Sequence, residues 1–141
     1  MTRWVRSLFV LTTVATLSAC GGPTGPSNNA VSSGSLTIAA GDFSVVAFTL
    51  DSRTALRTQI DWTVPLNDVD AFLLRGTCSR DDVLNAKPAC TMDAVVVGAA
   101  TGVTKPELFT TAALDPGPYT LLVVNRGSQN DTCNYQVTKS G

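Results

Sequence analysis

The chain has 141 residues, with 10 basic groups against 11 acidic ones and no histidine. A near-even balance without clustered Lys and Arg excludes a phosphate-backbone binder, so no nucleic-acid partner is expected. The missing imidazole excludes histidine-ligated metal centres and the Ser-His-Asp and Cys-His forms of nucleophilic catalysis.

The first element is a basic head, Met1, Arg3 and Arg6, followed by Ser7 to Leu17, which is apolar except for Ser and Thr. At about eleven residues this run is far short of the ~20 that a membrane-spanning helix needs. Basic head, short apolar run and small residues together read as a secretory signal. The run ends in Leu17-Ser18-Ala19-Cys20. This resembles the lipobox of bacterial lipoproteins. The resemblance implies a leader over residues 1–19, a thioether-linked lipid on Cys20 and a fatty acyl chain such as palmitate on its new amine. Two or more chains hold a protein stably at a bilayer, at ~0.8 kcal/mol per buried CH₂. Without Arg3 and Arg6 the balance becomes eight basic against eleven acidic groups. That gives no second, electrostatic hold on an anionic leaflet. Gly21 stands where Gram-negative lipoproteins retained at the inner membrane commonly carry Asp. The resemblance therefore implies a lipid-anchored place in the cell envelope, at the outer membrane in a Gram-negative host.

Residues 21 to 34 are Gly, Pro, Ser, Thr and Asn with almost nothing apolar to bury. With Cys20 they read as a flexible tether over 20–34, spanning about 20 Å at ~5.5 Å × √14. Residues 35–141 then form one domain. Ten Asp against a single Glu, with abundant Val, Thr, Ala and Gly, favour turns and strands over helices. Ser35 to Ala40 is a short strand closed by a Gly41-Asp42 turn, and Phe43 to Leu50 is a second. Arg57 to Val64 alternates cleanly, with Ile60, Trp62 and Val64 on one face and Gln59, Asp61 and Thr63 on the other. Asp70 to Arg75 is apolar on both faces, as a central strand is. Ala94 to Val97 is a strand ended by Gly98, and Leu108 to Thr111, after Pro106, is an edge strand. Asp115-Pro116-Gly117-Pro118 is the strongest turn and launches Tyr119 to Asn125. After Arg126 to Asp131 comes Thr132 to Lys139, where Cys133, Tyr135 and Val137 share a face. The best helical stretch, Arg80 to Ala86, is too short to shape the fold. About eight strands with turns every 8–12 residues predict an all-β antiparallel sandwich or jelly roll.

Export permits disulfides. With Cys20 lipidated, Cys78, Cys90 and Cys133 allow three pairings, of which Cys78–Cys90 is favoured because the segment between them is polar and turn-rich. Cys133 is then a buried apolar thiol or an intermolecular partner.

Trp62 precedes Asp68-Val69-Asp70-Ala71-Phe72-Leu73-Leu74, and after a loop come Gly117-Pro118-Tyr119-Thr120-Leu121-Leu122-Val123-Val124 and Tyr135-Gln136-Val137. From Asp42 to Lys139 this resembles the bacterial pre-peptidase C-terminal domain, a small β-sandwich appended to secreted proteases. Two departures stand out. Pro118 occupies a position where a β-former is usual, and a lipobox segment rather than a peptidase precedes the domain.

Asp68 and Asp70, with Asn67 and the loop acids Asp81 and Asp82, offer hard oxygen donors suited to calcium, and the resemblance adds calcium-binding relatives. The competing reading is that Asp68 caps a turn and Asp70 opens a strand toward solvent. Trp62, Tyr119 and Tyr135 fall at core phases, the tyrosines with hydroxyls bonded at the rim. Arg53, Arg57, Arg75 and Arg80 read as solvated residues. Asn130-Asp131-Thr132 matches a glycosylation acceptor only formally. Glu107 has no evident acid or base partner. No cofactor other than calcium is suggested. The expectation is a non-catalytic lipid-anchored module that binds protein, polysaccharide or calcium. The alternatives are a hydrolase accessory, an inhibitor or a chaperone-like module, and last a carboxylate-dependent hydrolase.

Overall fold

The computed structural model describes residues 29–91 and 96–140. The leader, Cys20 and most of the tether therefore lie outside the described residues, as does the Ala94-Val95 part of one expected strand. Eight strands form: β1 (Ala30–Ile38), β2 (Phe43–Leu50), β3 (Ala55–Trp62), β4 (Val69–Arg75), β5 (Val96–Ala100), β6 (Glu107–Thr110), β7 (Gly117–Asn125) and β8 (Asp131–Ser140). They make two four-stranded antiparallel sheets, in the order β1-β8-β3-β6 and β2-β7-β4-β5. The all-β sandwich expected from the turn spacing is the fold observed.

Trp62, Ile60, Leu56, Leu73, Leu121, Val123, Cys133 and Val137 fill the space between the sheets. A second apolar cluster, Leu74, Leu122, Cys78 and Cys90, lies on the outer face of the β2-β7-β4-β5 sheet. This explains the two apolar faces of β4. Val69, Ala71 and Leu73 face the core, while Phe72 and Leu74 face a cover made by the β4–β5 connection. That connection carries a one-turn helix, α1 (Arg80–Leu84), begun by Ser79, whose hydroxyl accepts from the backbone of Asp82 while Asp82 accepts from the backbone of Ser79. A Cys78–Cys90 disulfide staples it, with Cα atoms 5.7 Å apart. Cys133 is buried and free.

Several strand limits differ from the sequence reading, β3 ending at Trp62 and β7 beginning at Gly117 among them, and two differences are instructive. β1 starts at Ala30, inside the segment expected to be tether, because residues 32–38 find an antiparallel partner in β8. Gly34 sits under the ring of Tyr135, 3.0 Å from where a Cβ would be, and Val31 joins the core. Small polar residues can therefore take a strand when a neighbour supplies the hydrogen bonds. Gly98 does not end β5 but lies within it. A Cβ there would fall 2.7 Å from the Phe109 ring, so the glycine marks a close approach of strand and ring. Pro118 is accommodated as the second residue of β7, its carbonyl accepting from the backbone N–H of Gly76.

The up-and-down path puts the connections 39–42, 63–68, 101–106 and 126–130 at one end of the sandwich. The chain enters β1 at the other.

Candidate functional site

The polar chemistry of the described residues gathers at that first end. Asp131 opens β8 and is only 3 % exposed. Its carboxylate accepts from the backbone N–H of Thr63 at 2.8 Å, the Thr63 hydroxyl at 2.7 Å, the Val64 N–H at 3.2 Å and the Asn67 amide at 2.9 Å. Burial pushes its carboxyl up, but the bonds from Thr63, Asn67 and Val64 outweigh burial and hold it below the ordinary value. Asn67 also donates to the Gln129 carbonyl, and Asn125 donates to the same oxygen. Trp62 is core, as its phase predicts, and its indole N–H donates to the Asn67 carbonyl at 3.0 Å. The 63–68 and 126–130 loops are thereby tied to each other and to the facing ends of β7 and β8.

Asp70 is 4 % exposed and pairs with Arg126. It does not point free to solvent, because Arg126 follows β7 directly beside β4 and its backbone N–H also donates to the Asp68 carbonyl. One carboxylate oxygen of Asp68 is buried with no partner among the described residues. Glu107, 7 % exposed, is raised above the ordinary carboxyl range by burial and then by the charges of Asp70 and Asp68. The lone Glu of the chain is thus a neighbour of the Asp68-Val69-Asp70 motif, which spacing along the sequence gave no means of seeing. Lys105 donates to the Trp62 carbonyl and lies 3.3 Å from Asp61.

The expected calcium oxygens are not gathered. Asp82 is committed to the start of α1 and to Lys87, whose bond holds its carboxyl down to about 2. Asn67 is engaged with Asp131 and Gln129, and Asp70 with Arg126. Among the described residues no three Cys, Asp or Glu side chains converge as metal ligands.

Arg80 is not merely solvated. It bonds the Phe43 carbonyl and Asp42, and its guanidinium lies over the Phe43 ring at 4.5 Å. Arg53 and Arg75 form exposed pairs with Asp115. Tyr119 donates to the Asp115 carbonyl at 2.8 Å, and Tyr135 accepts weakly from Ser32 at 3.4 Å. Burial pushes the Cys133 thiol up to about 11, which makes it a poor nucleophile.

A different surface lies on the outer face of the β1-β8-β3-β6 sheet. The register sets Arg57, Gln59 and Asp61 of β3 opposite Thr138, Gln136 and Asn134 of β8. Arg57, Gln59, Gln136 and Thr138 line a shallow hollow of about 110 Å³. That is below the 300–1,000 Å³ of ordinary small-molecule pockets, and the lining is amide, hydroxyl and guanidinium. Alternation along β3 placed its polar half on this face; the β8 half was missed because only the apolar phase of β8 drew notice.

Among solved structures the chain is similar to the pre-peptidase C-terminal domain of a collagenase from Bacillus anthracis, at TM-score 0.53 and 14% identity, over 77% of this chain and 90% of that one. The sandwich has the pre-peptidase C-terminal fold. A Yersinia pseudotuberculosis-derived mitogen aligns at TM-score 0.48 and 12% identity, over 78% of this chain and 86% of that one. No family model and no curated protein matches the chain. At these identities the likeness establishes the pre-peptidase C-terminal architecture alone, and the role must be argued from the residues.

Proposed function

We propose that this chain is a non-catalytic module of the bacterial cell envelope, held at a membrane by acyl chains on Cys20, that presents its sandwich to a macromolecular partner. The observation that carries the reading is Leu17-Ser18-Ala19-Cys20 behind a basic head and short apolar run.

The chemistry of the sandwich supports a binding role. Asp131, Asp70 and Asp82 are each engaged by donors within the fold, and the Cys133 thiol is buried. The hollow around Gln59 and Gln136, lined by amides, a hydroxyl and the Arg57 guanidinium, suits a hydroxyl-rich polysaccharide, which offers many oxygen acceptors to such donors.

Replacing Cys20 by Ser tests the anchor. The wild-type chain is expected in the membrane fraction and Cys20→Ser in the soluble one; membrane retention of Cys20→Ser ends the proposal. For the binding face, Gln59→Ala with Gln136→Ala should abolish co-sedimentation with insoluble envelope polysaccharide. Unchanged co-sedimentation removes that face from the reading.

A further inference from the structure

The four sheet edges are not alike. β6 has four residues and follows Pro106, and β5 has five with a bulge where it meets β4. β1 carries a register shift at its start and the run Ser32-Ser33-Gly34-Ser35. Each has a feature that discourages pairing: shortness, a bulge, proline or glycine. β2 has none of them. Phe43-Ser44-Val45-Val46-Ala47-Phe48-Thr49-Leu50 runs eight residues in unbroken register with β7, without charge, proline or glycine.

The direction of its backbone groups follows from the ladder. The Asn125 N–H donates to the Asp42 carbonyl, and these residues are opposite each other one step beyond Phe43 and Val124. Bonded pairs alternate in an antiparallel ladder. Ser44, Val46, Phe48 and Leu50 therefore bond β7, while Phe43, Val45, Ala47 and Thr49 turn their N–H and C=O groups to the open edge. Phe43 agrees with this, since its N–H donates to the Asp42 side chain and its C=O accepts from Arg80. The groups of Val45, Ala47 and Thr49 have no such partner among the described residues.

We propose that β2 is a pairing edge for a second copy of this chain, joined antiparallel about a two-fold axis at Ala47. The sequence is self-complementary in that register. Ala47 meets its own copy, Val45 meets Thr49, and each pair exchanges both backbone bonds. Val46 meets Phe48 on the core side, an apolar cross-strand pair. No like charges meet within the strand. Beyond it, Asp51 of one copy falls opposite Phe43 of the other, whose N–H and C=O are already held by the Asp42–Arg80 pair, so the bonded joint ends at Val45 and Thr49 on either side of Ala47. Antiparallel pairing sets the two chain entries at opposite ends of the joined sheet. This goes beyond the proposed function and does not depend on it.

The test is cysteine cross-linking of the full-length chain in its own envelope. Ala47→Cys places two thiols on a bonded pair with Cα atoms about 5.5 Å apart, within disulfide range. A dimer band on non-reducing gels is expected for Ala47→Cys, several-fold stronger than for Ser33→Cys on exposed β1. Val45→Cys and Thr49→Cys chains should cross-link when co-expressed and not when either is alone. The idea is overturned if Ala47→Cys gives no more dimer than Ser33→Cys. It is overturned equally if Val45→Cys alone cross-links as strongly as the mixed pair, or if Ala47→Cys forms its adduct with a different protein.

Discussion

Replacing Asp131 by Ala removes the acceptor that ties the 63–68 loop to the start of β8. The carboxylate takes backbone N–H bonds from Thr63 and Val64, the Thr63 hydroxyl and the Asn67 amide. Thr63 is exposed and can rehydrate its groups, whereas Asn67 is buried and Val64 half-buried. A stranded buried donor costs roughly 1–3 kcal/mol, and two of them put the loss near 3 kcal/mol. For a domain of about 110 residues, at roughly 4 °C per kcal/mol, the melting temperature falls by about 12 °C. Asp131→Asn keeps one acceptor oxygen but sets an amide donor against the Asn67 amide, so its loss should be intermediate. The pH dependence supplies a second check. The Asp131 carboxyl is held below its ordinary value, so the stability it contributes is present above the ordinary carboxyl range. That contribution disappears as pH falls through the depressed native value. The gap between wild type and Asp131→Asn should therefore be full near neutral pH and shrink in acid. Circular dichroism melts across pH measure both. A loss under about 1 kcal/mol for Asp131→Ala, or a gap to Asp131→Asn that does not change with pH, would refute the account of this network.

Replacing Cys78 and Cys90 together by Ala should lower stability by about 3 kcal/mol in a chain-entropy account, since the bridge closes a 12-residue separation; chemical denaturation, extrapolated to zero denaturant, is the measurement. Glu107→Gln should behave in the opposite sense to Asp131. Burial, then the charges of Asp70 and Asp68, raise the Glu107 carboxyl, so its protonated form fits the fold and stability is lost as pH rises through the raised value. The variant should melt above wild type near pH 8 and level with it near pH 4, and equal melting at both would exclude the buried carboxylate as a source of strain. Gly98→Ala should cost about 1–3 kcal/mol by pressing a methyl into the Phe109 ring, read in the same melts; a neutral result would show that ring to be free to move.

The eight strands, their turns and the core phase of Trp62 and Tyr119 were legible because two-residue alternation and Gly, Pro and Asp turns are local properties. The Cys78–Cys90 bridge was legible for the same reason, its two ends being joined by one short polar loop. Asp68, Asp70 and Glu107 were legible only as residues. Their chemistry depends on which partner each meets across some tens of residues, and a linear pattern carries no such distance. Asp70 found Arg126 and Asp82 found Lys87, so two of the expected calcium ligands are engaged by cations of the fold.

By itself, the order of residues determined an all-strand domain and one short-range bridge, because each is written within a dozen neighbouring positions. Only the tertiary structure decided that the serine-rich stretch from Ala30 becomes a strand, that Gly98 lies inside one, and that Glu107 sits beside two aspartates. Those outcomes arise from hydrogen-bond partners and contacts brought together across the two sheets. The strand β2 stands between the two cases: its composition was plain, but that one side of it has no neighbouring strand among the described residues is a property of sheet order.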